Sequence, residues 1–61
     1  EKAINDFNKS ININPNNSKT FFNRGITFAK LGEYEKAKND YTESLKIDPG
    51  NRLAQERLDL L

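Results

Sequence analysis

The side chains that could carry out acid–base chemistry in this sequence are carboxylates. Asp40 and Glu43 stand three positions apart, and on a helix this spacing places two side chains on the same face, about 5–6 Å apart at Cβ. An acid–base pair also needs a cleft that brings a substrate within hydrogen-bond reach. Since the sequence indicates no such cleft, we interpret the pair as part of a solvated helix face, with an acid–base pair as the alternative.

Other catalytic and metal-binding groups are missing from the chain. It contains neither histidine nor cysteine, so zinc sites and nucleophile–imidazole triads lack their usual groups. It also has no glycine-rich loop of the kind that binds phosphate. We therefore predict a protein that is not an enzyme and that uses no metal and no cofactor.

The charges are balanced and dispersed along the chain. Ten Lys and Arg residues against nine Asp and Glu residues give a formal net charge of +1, which argues against binding to nucleic acid or to a membrane surface. No apolar run is long enough for a membrane span or a signal peptide, and we expect a cytoplasmic protein. The chain begins with Glu1 rather than Met, which suggests a piece of a larger protein.

The sequence repeats itself with a shift of 34 residues. When residues 1–17 are laid over residues 35–51, nine positions are identical and no gap is needed. This density of matches indicates an internal structural repeat. The identical pairs are Glu1/Glu35, Lys2/Lys36, Ala3/Ala37, Asn5/Asn39, Asp6/Asp40, Ser10/Ser44, Ile13/Ile47, Pro15/Pro49 and Asn17/Asn51.

Hydrophobic periodicity predicts two helices in the first half of the chain. The first helix (1–13) is stopped by Pro15, because the residue before a proline avoids the helical conformation. Asn17 or Ser18 then caps the second helix (19–31). The apolar stripe of the first helix contains Ala3, Ile4, Phe7, Ser10 and Ile11, and the two stripes of the second contain Phe21, Gly25, Phe28 and Leu31, and Phe22, Ile26 and Ala29.

Two further helices are predicted in the second half. The third covers residues 34–47, the turn 48–50 ends it, and Asn51 caps the fourth helix (52–61). Since the fourth helix is mostly polar, we expect it to shield the last core layer from water. The residues predicted to face inward are Tyr34, Ala37, Tyr41, Ser44 and Leu45 in the third helix, and Leu53, Ala54, Leu58 and Leu61 in the fourth.

Two glycines in this pattern have different roles. Gly25 lies in a helix interior, where glycine costs about 1 kcal/mol relative to alanine. A helix tolerates that cost where another backbone comes close, and we expect Gly25 and Ala37 to mark this approach. Gly32 lies where the second helix ends and is predicted to be its left-handed stop.

These landmarks resemble the tetratricopeptide repeat, a helix–turn–helix unit of about 34 residues. The resemblance implies an all-α fold of antiparallel helix-turn-helix repeats in a right-handed superhelix. It divides the chain into the second helix and turn of a preceding repeat (1–17), a complete repeat (18–51) and a capping helix (52–61). Arg24 and Lys38 replace apolar residues of the family and should thin the core. The signature positions are Ala3, Phe7, Pro15, Phe21, Gly25, Phe28, Gly32, Tyr34, Ala37, Tyr41, Ser44 and Pro49.

The resemblance also implies a function, that of a non-catalytic module for protein–protein interaction. In the family a peptide or protein partner lies in a groove lined by the first helix of each repeat. Phe22 and Ile26 would receive an apolar side chain, or else pack on neighbouring helices, and Asn23 would bond to a peptide backbone. Lys19 and Lys30 favour an acidic ligand. The expected partner-binding residues are Lys19, Phe22, Asn23, Ile26, Ala29, Lys30 and Arg57.

Two alternatives concern the kind of partner. Co-chaperones of this family hold the acidic C-terminal tail of Hsp70 or Hsp90 with a clamp of Lys, Asn and Arg side chains, to which Asn23, Arg24 and Arg57 are similar. Leu53 stands where the clamp has a lysine, which counts against this alternative. The other alternative is a purely structural or oligomerisation segment. In that case the first helix, which has no partner of its own, would mediate self-association.

The predicted close approach at Ala37 is tested by the substitution Ala37→Leu. The larger side chain would overpack the contact between the second and third helices and lower the free energy of unfolding by about 1–3 kcal/mol. Thermal unfolding followed by circular dichroism measures the loss. An unchanged melting temperature would show that Ala37 does not lie at a tight contact.

Overall fold

The computed structural model describes all residues from 1 to 61. They form four α-helices, α1 (Lys2–Ile13), α2 (Ser18–Lys30), α3 (Tyr34–Ile47) and α4 (Arg52–Asp59). The structure contains no strand, so the predicted all-α class is confirmed. None of the four helices combines the length and the hydropathy that a membrane-spanning segment needs.

Two asparagines set where α2 and α4 begin. The side chain of Asn17 accepts hydrogen bonds from the amides of Lys19 and Thr20, at 3.1 and 3.4 Å. The side chain of Asn51 accepts one from the amide of Ala54 at 3.2 Å. These bonds satisfy amides that the first turn of a helix leaves free. The cap at Asn51 is confirmed, and of the two candidates for α2 it is Asn17 that caps.

Gly32 ends α2 as predicted. Its φ of +81° is left-handed, a conformation that glycine adopts without steric cost. The amide of Glu33 can then donate to the carbonyl of Phe28 at 2.9 Å, and α3 begins at Tyr34. Leu31, which the pattern placed in an apolar stripe, lies in this turn and is 49% exposed.

The helices α2 and α3 form an antiparallel hairpin. At the start of α2 and near the end of α3, the hydroxyl oxygens of Ser18 and Ser44 lie 2.7 Å apart. In the middle of both helices, Arg24 bonds to Asp40. Asn51 donates to the hydroxyl of Ser44 at 3.2 Å. This bond links α3 to the residue that caps α4.

The core of the hairpin lies along one face of α3. Ala37, Tyr41 and Ser44 are buried, as the apolar stripe predicted. Across from them, Gly25 makes room for an aromatic ring. A Cβ built on Gly25 would lie 2.7 Å from Cε1 of Tyr41 and 3.2 Å from Cβ of Asp40. The glycine thus admits the Tyr41 ring, whereas the sequence suggested a contact between backbones near Ala37.

Three residues predicted to face inward are exposed instead. Tyr34 is 60% exposed because it is the first residue of α3, beyond the covered part of that helix. Leu53 and Leu61 are 59% and 47% exposed, and α4 ends at Asp59. Only Ala54 of α4 is buried. The period of an apolar stripe predicts the direction in which a side chain points. It does not predict how far the neighbouring helix extends to cover that side chain.

Replacing Gly25 with alanine should destabilise the protein, although alanine favours a helix by about 1 kcal/mol. The added Cβ would collide with the buried Tyr41 ring, and we expect a net loss of about 1–2 kcal/mol in urea unfolding. Asn23→Ala, on the exposed side of the same helix, serves as the control and should not lower the unfolding midpoint. A Gly25→Ala variant as stable as the parent would mean that the ring moves aside freely.

Candidate functional site

A groove of about 620 Å³ lies between the start of α2 and the start of α4. The first half of α2 forms one wall. The turn after α3 and the first residues of α4 form the other. The residues that line the groove are Ser18, Lys19, Phe22, Asn23, Asp48, Gly50, Asn51, Arg52 and Leu53.

The wall formed by the turn is held by its own hydrogen bonds. The amide of Gly50 donates to the carboxylate of Asp48 at 3.1 Å. Asn51 caps α4 and at the same time donates to the buried hydroxyl of Ser44. This double role ties the beginning of α4 to the α2–α3 hairpin and therefore fixes the width of the groove.

Phe22 and Leu53 supply the apolar surface of the groove. The ring of Phe22 is half-buried and packs on the ring of Tyr41, with centroids 5.9 Å apart and a tilt of 45°. Leu53 is 59% exposed. Phe22 thus packs on a neighbouring helix, which was one of its two alternatives, and it also borders the groove. Its contact with an apolar side chain of a ligand stays a prediction.

The charged groups of the groove are two cations and one carboxylate. Lys19 and Arg52 are both exposed, and neither forms an ion pair within the chain. Asp48 is the single carboxylate among the lining residues. The formal charge of the residues that line the groove is therefore positive on balance.

The structure brings together three of the residues that the sequence proposed for partner binding. Lys19, Phe22 and Asn23 line the groove. Four others lie outside it, namely Ile26, Ala29, Lys30 and Arg57. Ile26, Ala29 and Lys30 follow on α2, beyond the part that faces α4.

From α4, sequence reasoning included Arg57 among the partner-binding residues but not the lining residues Arg52 and Leu53. Arg52 and Leu53 stand 34 residues after Ser18 and Lys19, so the repeat places them at the same positions on the next first helix. Extending the predicted groove face by one period would have found Leu53, which corresponds to Lys19, but not Arg52, which corresponds to Ser18. The repeat pattern does not indicate that the turn residue Asp48 belongs to the groove.

Arg24 lies on the opposite side of α2 and is fully engaged within the chain. Its Nε and Nη2 donate to the two carboxylate oxygens of Asp40 at 2.8 and 2.6 Å, and its Nη1 donates to Asn8 at 2.8 Å. The guanidinium also lies over the rings of Phe21 and Phe28, 5.5 and 5.7 Å from their centroids. The hydrogen bond to Asp40 raises the pKa of Arg24 above its ordinary value, against the opposing effect of burial.

This arrangement corrects two interpretations of the sequence. Asp40 is 4% exposed and bonded to Arg24, so it does not belong to a solvated face with Glu43. Arg24 was expected to thin the core, but it links α1, α2 and α3 through Asn8 and Asp40. The sequence analysis noted Arg24 at an apolar position but missed its ion pair, because Asp40 lies 16 residues away on another helix.

The pKa of Tyr41 is affected by charges on two helices, α3 and α4. Burial raises the pKa of its hydroxyl, the positive charge of Arg57 lowers it, and the negative charge of Asp40 raises it further. Arg57, which does not line the groove, thus affects the pKa of Tyr41.

The structure combines an antiparallel hairpin of α2 and α3 with a following helix, α4, that is capped in the same way as α2. A groove lies between α2 and α4. These features together define a helical-repeat scaffold. In comparison with known families, the one described as "Tetratricopeptide repeat" matches residues 18–51. The chain belongs to the tetratricopeptide repeat family. Its members are non-catalytic scaffolds for protein–protein interaction. Comparisons with curated proteins and with solved structures give no match.

Removing the cation of the Arg24–Asp40 pair should be strongly destabilising. Arg24→Leu leaves the carboxylate of Asp40 buried without a partner, and we expect a loss of about 3 kcal/mol in urea unfolding. In the double variant Arg24→Leu/Asp40→Asn the loss should be smaller than the sum of the two single losses. Lys46→Gln, which breaks the exposed pair with Glu43, is the control and should cost less than about 0.5 kcal/mol. Strictly additive losses would mean that the two groups do not stabilise each other.

Proposed function

We propose that the groove between α2 and α4 binds an extended peptide segment of a partner protein, in which an apolar side chain stands beside acidic residues. The observation that carries the proposal is Leu53, which is 59% exposed in the same groove as Phe22. Covering exposed apolar surface in a concave site is favourable because it removes that surface from water.

The dimensions and polar groups of the groove suit a peptide. Its volume of about 620 Å³ falls within the range of about 300–1,000 Å³ that is usual for ligand sites. Asn23 is exposed at the edge, and an amide side chain can both donate to and accept from a peptide backbone. The groove thus offers one apolar contact and at least one orienting group.

The charges of the groove favour an acidic segment. Lys19 and Arg52 outnumber Asp48, and both cations are free of intramolecular ion pairs. Complementary charge at the edge of a site increases the association rate and selects against like-charged partners. A basic peptide of the same shape should therefore bind less well.

The chaperone-tail alternative has less support than an internal peptide. Arg24 donates to Asp40 and Asn8, so it is not free to hold a ligand carboxylate. Leu53 offers an apolar surface where the clamp has a lysine, and Arg57 lies outside the groove. A segment without a free terminal carboxylate fits these residues better.

The test is titration of the chain with a fluorescein-labelled, C-terminally amidated peptide that has one leucine between acidic residues. Fluorescence anisotropy should show binding of this peptide and little binding of a version with lysines in place of the acids. Leu53→Ala should weaken binding about fivefold to tenfold. The melting temperature should stay the same because the side chain is already exposed.

Leu60→Ala is the matched control, since Leu60 is 79% exposed and lies outside the groove. Binding that responds equally to Leu53→Ala and Leu60→Ala would contradict the proposed site. Stronger binding of the peptide with a free C-terminal carboxylate would favour the chaperone-tail alternative. Absence of binding by both the acidic and the basic peptide would favour a purely structural role.

A further inference from the structure

Asp48 carries a charge opposite to that of the other charged residues in the groove. Lys19 and Arg52 are cations, whereas Asp48 is a carboxylate. It is exposed and forms none of the ion pairs of the chain, although Arg52 follows only four residues later. A carboxylate that pairs with neither nearby cation can accept a positive group of a ligand.

Three hydrogen bonds fix the position of Asp48. Its amide donates to the carbonyl of Ser44 at 2.9 Å, and its carbonyl accepts from the amide of Asn51 at 3.1 Å. In its side chain, Oδ1 accepts from the amide of Gly50 at 3.1 Å, and Oδ2 takes no part in this bond. The carboxylate is therefore held in one direction and keeps one oxygen for a ligand.

Asp48 lies at one end of the groove. The helices α2 and α3 are antiparallel, and Ser18 at the start of α2 contacts Ser44. Asp48 follows Ser44 by one helical turn and so lies beyond the start of α2, whereas Phe22 lies one turn inside it. Asp48 and Phe22 are thus about 11 Å apart along the helices. An extended peptide covers this distance with about three residues.

We propose that Asp48 binds a lysine of the ligand, about three residues from the apolar side chain that contacts Phe22 and Leu53. The proposal rests on the peptide-binding function proposed above and adds a basic position to the ligand. An ammonium is a point charge that needs one oxygen, whereas arginine is strongest when it bonds to both oxygens of a carboxylate. Since one oxygen of Asp48 already accepts from Gly50, lysine is the better match.

The other end of the groove offers no such charge. Asn23 is the lining residue farthest along α2, and its amide side chain is neutral. A lysine at that end of the ligand would therefore form no ion pair with the groove. It follows that a lysine should improve binding on one side of the apolar residue only.

The test compares three fluorescein-labelled, C-terminally amidated peptides by fluorescence anisotropy. The reference peptide has one leucine between acidic residues and a glutamine three residues away on each side. In the other two peptides a lysine replaces one glutamine, either before or after the leucine. One lysine peptide should bind about threefold more tightly than the reference, as expected for an exposed ion pair. The other should bind like the reference, and added salt should remove the gain.

Asp48→Asn should abolish the gain from lysine. Asparagine keeps the Oδ1 that accepts from the amide of Gly50, so the turn is retained. Asp59→Asn is the matched control, because it removes the same charge from an exposed aspartate outside the groove, and it should leave the gain unchanged.

The inference would be overturned if neither lysine peptide bound more tightly than the reference, or if both did so equally. A gain that persisted in Asp48→Asn would overturn it as well. Absence of binding by the reference peptide would overturn the proposed function itself, and this inference with it. The reference peptide therefore separates the failure of the inference from the failure of the function.

Discussion

The contact between Gly25 and the ring of Tyr41 is the constraint on which the other features depend. Because α2 has no side chain at this point, the ring lies directly on the helix backbone. Phe22, one turn earlier on α2, then packs on the same ring and becomes a wall of the groove. The position of that wall therefore depends on a residue that contributes no side chain.

The core contains few buried apolar residues, and Arg24 bonds to the helices on either side of α2. The buried hydrophobic residues are Ala37, Tyr41 and Ala54, which is little for a chain of this length. The guanidinium of Arg24 binds Asp40 and Asn8 and covers aromatic rings. A buried ion pair often adds no more net stability than apolar residues would, although breaking it is costly. We infer that its main effect is to hold three helices in one register.

The parts of the fold that depend on local sequence were predictable, and those that depend on distant contacts were not. The cap at Asn51 and the left-handed Gly32 follow from residue type and neighbours, and the structure confirms them. The pairing of Arg24 with Asp40 could not be deduced, since it requires knowing which helix faces which. Arg52 and Leu53 were missed as groove residues for the same reason, because the sequence does not show which part of the fourth helix faces α2.

The packing of Phe22 on Tyr41 has a spectroscopic consequence. The chain has no tryptophan and only two tyrosines, so its intrinsic emission comes from these two phenols. Tyr34 is 60% exposed and Tyr41 1% exposed, which makes one an internal reference and the other a probe of the interior. Since Phe22, the ring beside Tyr41, is also the groove wall, we expect a ligand that displaces this ring to change the emission of Tyr41 without any added label.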